Sequence, residues 1–86
     1  MQLAKYVKFR EEQFGGVLFE TQTEKVYTLN PTGAAVIREI RSGADASQIA
    51  TRLRDKFRDP AGIIEHDILT LIGELRQKGL IADSDP

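Results

Sequence analysis

Residues 26–40, VYTLNPTGAAVIREI, change period at a single point. Up to Asn30 the residues are strand formers, and from Pro31 the apolar residues Ala34, Ile37 and Ile40 recur at helical spacing. The switch has a local cause. An Asn side chain accepts a hydrogen bond from one of the unpaired N–H groups that open a helix. Proline at the next position has a fixed φ suited to the first turn, and its missing N–H is not needed there. A strand therefore ends at Asn30 and a helix starts at Pro31, running to a stop at Ser42-Gly43.

Upstream, AKYVKFR (residues 4–10) alternates as a strand, and Gly15-Gly16 marks a turn ahead of a second strand, GVLFETQ, at 16–22. A polar Thr23-Glu24 then precedes the third strand, KVYTLN, at 25–30. With no Asn-Gly or Asp-Gly the turn does not fix the register, and a two-residue turn at Thr23-Glu24 is one option. With that turn Leu18 opposes Leu29, and Phe19 opposes Thr28. Leu18, Tyr27 and Leu29 fall on one face; Val17, Phe19 and Val26 fall on the other. Both faces are apolar, whereas a sheet covering a single core alternates more cleanly. Either the first strand or a chain terminus covers the second face, or the sheet meets a partner.

Downstream, Asp45 followed by Gln48 is a capping-box pattern, and Ile49, Leu53 and Phe57 give the next helix its buried face. Asp59-Pro60 and Gly62 break the chain again. A last helix over 61–78 carries Ile64, Ile68, Leu71, Ile72 and Leu75 on one side and ends near Lys78-Gly79. Leu80-Ile81 fold back on the core before a polar tail from about residue 82, expected to fray. The fold class is α+β: a three-stranded antiparallel sheet followed by a three-helix, winged helix-turn-helix-like bundle. Its 86 residues make one domain, spanning 1–86.

Composition excludes several chemistries. Cysteine is absent, so no disulfide, thiolate ligand or Cys nucleophile exists, and the one histidine, His66, cannot build a His-rich metal site. His66 lies between Glu65 and Asp67, off the apolar stripe, and reads as a surface residue. No HExxH, phosphate-cradling or GxGxxG pattern occurs. The chain is expected to be no enzyme and to need no cofactor or metal. No apolar run approaches a membrane span, and the start lacks a signal-peptide centre, so a cytoplasmic protein without membrane contact is expected.

Nucleic acid binding is the main rival. Arg38, Arg41, Arg52, Arg54, Lys56 and Arg58 stand against Glu39, Asp45 and Asp55, a local positive excess. In a winged helix, however, the last helix would read DNA, and here it carries Glu65, Asp67 and Glu74 against Arg76 and Lys78. Phosphate contact dominates DNA affinity, so an acidic reading helix argues against this use. Peptide binding fits better. If residues 25–30 are outermost in the sheet, their backbone can pair with an incoming extended chain, with side-chain pockets supplied by a helix alongside.

The segments VYTLNPTGAAVIREI, SGADASQIATRL and HDILTLIGELRQKGLI, in that order, resemble the PqqD family, also called the RiPP recognition element. The likeness covers about residues 5–82. It implies a stand-alone, non-catalytic domain that binds the leader peptide of a ribosomally made precursor and presents it to a peptide-modifying enzyme, often a radical SAM protein. It also implies strand addition to the third strand, here Lys25, Val26, Tyr27, Thr28 and Leu29. The groove side of the last helix would be drawn from Ile64, Asp67, Ile68, Leu71, Glu74, Leu75 and Lys78, with Asp67, Glu74 and Lys78 at the polar rim. A monomer or weak homodimer is expected. The chain departs from the family in having neither the tryptophan of the second strand nor the Pro-Glu pair before the third: residues 14–20 read FGGVLFE.

Overall fold

The computed structural model describes residues 1–57 and 62–82. Four strands, β1 (Gln2–Leu3), β2 (Val7–Glu12), β3 (Gly15–Glu20) and β4 (Lys25–Leu29), come first. Helices α1 (Pro31–Arg41), α2 (Ala46–Phe57) and α3 (Ile63–Gln77) follow, then β5 (Ile81–Ala82). An antiparallel sheet is formed in the order β2-β3-β4, and β1 pairs with β5 in a separate two-stranded ladder. The architecture is α+β, with the three-stranded sheet ahead of the three helices as the sequence pattern predicts.

The helix boundaries have visible causes. Asn30 Oδ1 accepts from the Gly33 N–H at 2.8 Å, and Pro31 opens α1. Asp45 and Gln48 cap α2 reciprocally, each side chain bonding the other's backbone N–H, at 2.8 and 3.0 Å. At the end of α3, Gly79 takes a left-handed φ of 73°; its N–H reaches Arg76 O, and Leu80 N–H reaches Leu75 O at 2.9 Å. That is the pair of bonds of a Schellman stop, and it turns Leu80 and Ile81 into the core. Replacing Asn30 by Ala should cost about 1 kcal/mol, because one helix N–H loses its acceptor. Thermal unfolding should register a fall of about 4–8 °C, and Asn30→Asp, which keeps an acceptor, should restore it.

Three expectations about the sheet need correction. The first strand starts at Val7, not residue 4, because Lys5 and Tyr6 form a turn after β1. Gly15-Gly16 is not the turn: Gln13-Phe14 is, and the glycines begin β3. The β3–β4 connection spans Thr21 to Glu24, so Leu18 faces Tyr27 and Phe19 faces Val26. Glu24, at φ 62°, supplies the left-handed residue of this longer turn without a glycine to announce it. The register therefore slips by two residues. An even slip leaves every side chain on its expected face.

Leu18 and Leu29 are buried and Tyr27 half-buried on the core side, against Val36, Ile37 and Ile40 of α1. Ile49 and Leu53 of α2 and Ile68, Ile72 and Leu75 of α3 complete the core. On the other side of the sheet Phe19 and Val26 are exposed, the latter to 59%. β1 is engaged with β5 instead, and Lys8, Arg10 and Val17 line a hollow there with Phe19 and Val26. The Asp59-Pro60 break, Arg58 and the tail beyond Ala82 lie outside the described residues.

Candidate functional site

β4 has β3 on one side and, among the described residues, no strand on the other. Which of its backbone groups face the open edge follows from two hydrogen bonds of β3's end. Thr21 N–H donates to Tyr6 O at 2.8 Å, on the β2 side, and Glu20 O accepts from Glu24 N–H at 2.8 Å, on the β4 side. Backbone groups of successive strand residues point to opposite sides. Gly16, Leu18 and Glu20 therefore turn toward β4, and their partners Leu29, Tyr27 and Lys25 bond inward. Val26 and Thr28 are left aiming N–H and C=O at the open edge.

Beside this edge runs a hollow of about 370 Å³. Helix α3 packs on α1, α2 and β5, and α1 packs on β3 and β4, so α3 flanks the end of β4 across a gap. Leu29, Ile64, Ile68 and Leu71 supply the apolar lining; Thr28, Asp67, Thr70 and Glu74 supply the polar one. Asn30, Thr32 and Gly33, the cap and first turn of α1, form the remaining wall. The strand-to-helix switch thus closes one side of the hollow. A channel with an open strand edge, an apolar floor and a polar rim can hold an extended chain. Among the described residues no cluster of His, Cys, Asp or Glu could hold a metal ion, and His66 is exposed and does not line the hollow.

Of the residues singled out from the sequence, Thr28, Leu29, Ile64, Asp67, Ile68, Leu71 and Glu74 come together around the hollow. Lys25 and Val26 are exposed farther along β4, and Tyr27 turns its ring toward the core. Leu75 is buried in the core, and Lys78 is the residue that caps α3. Asn30, Thr32, Gly33 and Thr70 line the hollow without having been singled out for it. Thr70 stands three residues after Asp67 and so shares its helix face, a spacing that was available in the sequence.

Three of the five basic residues between 38 and 56 are held in ion pairs. Arg38 pairs with Glu11, Arg52 with Glu39 at 2.8 Å, and Arg54 with Glu65 at 3.5 Å. Arg41 lies over the Phe9 ring, 5.8 Å from its centroid. A phosphate backbone would have to compete with these internal partners. Among the described residues no helix is long and apolar enough to cross a membrane.

Comparison with known proteins agrees with this architecture. The family model of coenzyme PQQ synthesis protein D (PqqD) matches residues 15–81. No curated protein matches the chain. Among solved structures, TbiB1 in complex with the TbiA(beta) leader peptide superposes with a TM-score of 0.83 at 17% identity, covering 100% of both chains. A lasso peptide synthetase B1 complexed with the leader peptide gives 0.79 at 21% identity, over 95% of this chain and 96% of that one. At such identities the likeness is one of fold.

Proposed function

The chain belongs to the PqqD family, and from that membership we propose that it is a non-catalytic carrier of a leader peptide. The peptide adds as a strand to the free edge of β4, pairing with Val26 and Thr28, and its side chains on the helix side settle into the hollow beside α3. Lys25, Tyr27 and Leu29 hold the receiving strand in register, while Ile64, Asp67, Ile68, Leu71 and Glu74 form the opposing wall. Leu75 supports that wall from the core, and Lys78 lies at its far end. The bound peptide is presented to a peptide-modifying enzyme. A radical SAM protein is one candidate; the two leader-peptide complexes among the structural neighbours, one of them a lasso peptide synthetase B1, support a lasso synthetase as another.

The observation that carries this reading is the backbone of Val26 and Thr28, unpaired among the described residues, beside a hollow with an apolar floor. Backbone pairing supplies affinity that depends little on sequence, and alternate side-chain pockets supply selection. The test uses isotope-labelled protein and a synthetic copy of the leader encoded by the short open reading frame nearest the gene. Binding at micromolar affinity or tighter is expected, with the largest backbone amide shifts in residues 25–30. Shifts confined to the opposite face of the sheet, or none at saturating peptide, would overturn the reading.

A further inference from the structure

The chemistry of α3 narrows the guest, on the premise that it binds by strand addition to β4. Asp67, Leu71 and Glu74 follow one another at four and three residues, so they share one face of the helix, and all three line the hollow. Both carboxylates are exposed, and Leu71 is half-buried between them. The ion pairs of the described residues use Glu11, Glu12, Glu39, Asp55 and Glu65, so among those residues Asp67 and Glu74 have no cation. No described Lys, Arg or His lines the hollow. A guest lying there removes water from two carboxylates, and covering a charge without a partner is strongly unfavourable.

We propose that the guest peptide carries a basic–x–apolar–x–basic pattern, its two cations meeting Asp67 and Glu74 and its central apolar residue resting on Leu71, Ile68 and Leu29. The spacing is set by geometry. Seven helical residues separate the carboxylates by about 10 Å along the axis. Side chains four apart on an extended strand share a face and stand about 13 Å apart. The flexible arms of Lys or Arg close the difference. Side chains one or three apart point to opposite faces and cannot meet both acids. Because the pattern reads the same in both directions, it holds whether the guest runs parallel or antiparallel to β4.

Three synthetic peptides with identical uncharged, strand-forming flanks test this, differing only in the centre: Lys-Thr-Leu-Thr-Lys, Thr-Lys-Leu-Lys-Thr and Glu-Thr-Leu-Thr-Glu. The first should bind about fivefold tighter than the second, which has the same composition but turns its lysines away from the leucine's face, and tighter still than the third. The advantage should shrink as salt is added. Asp67→Lys combined with Glu74→Lys, both at exposed positions, should invert the order of the first and third peptides while thermal unfolding stays unchanged. Equal affinities for all three, with the Val26 and Thr28 amides still responding, would overturn the charge pattern and leave strand addition standing. If no peptide perturbs those amides, both fall.

Discussion

Gly15→Ala should lower the melting temperature by about 15 °C. Gly15 has a φ of 142°, a region costly for any residue with a side chain, and an added Cβ would collide with the Leu29 carbonyl oxygen and stand 2.8 Å from that of Asn30. Backbone strain of this kind costs about 1–3 kcal/mol, and forcing an atom into filled space adds about as much again. Each kcal/mol moves the transition of a domain this size by about 4–8 °C. Gly43 provides the control, since its φ is 93° but no atom lies within 4 Å of the place a Cβ would take. Gly43→Ala carries strain alone and should cost about half as much. Equal losses at the two sites, measured by thermal circular dichroism, would show that the approach of β3 to Leu29-Asn30 is not what requires the glycine. The close approach also fixes where β4 ends, so the weakened variant should bind peptide poorly even at temperatures where it stays folded.

The second large effect separates binding from folding. Thr28→Pro deletes an N–H that faces the open edge, and the ring obstructs an arriving strand. Leader-peptide affinity should fall at least about tenfold, the loss of one hydrogen bond compounded by that obstruction, with only a small drop in melting temperature. Thr28→Val keeps the amide and should bind nearly as the parent does. Tyr27→Pro is the converse: it removes an N–H that bonds inward toward Leu18 and a ring packed on the core, and should destabilise the sheet itself. Undiminished binding by Thr28→Pro would mean that the guest does not pair with this edge.

What the sequence conveyed was whatever has a local cause. Asn30-Pro31 and the Asp45/Gln48 pair announce helix starts because the capping partner lies three residues away, and Gly43 and Gly79 announce stops for the same reason. The face assignment of β3 and β4 survived a wrong turn length because strand parity is indifferent to a slip of two. The turn itself was hidden, since Glu24 adopts a left-handed conformation usually signalled by Gly or Asn. β5 was hidden more deeply. Two residues pairing with a partner some eighty positions away leave no periodicity to detect. In the hollow, the helical stripe pointed to Ile64, Ile68 and Leu71, whereas Leu75 on that same stripe is turned into the core. Asn30 already had a local explanation as a cap, Thr32 and Gly33 simply follow it in the first turn of α1, and nothing in their spacing shows that a cap can also be a wall.

The small β1–β5 ladder sets Gln2 opposite Ala82 and Leu3 opposite Ile81, and Ala4 N–H bonds Leu80 O at 2.9 Å. The polypeptide thus departs within about 5 Å of where it entered. A unit with adjacent entry and exit can be spliced into a surface loop of a larger enzyme as a cassette, its host's flanking segments barely displaced. The receiving edge would travel with it intact, because neither β4 nor α3 belongs to the clasp.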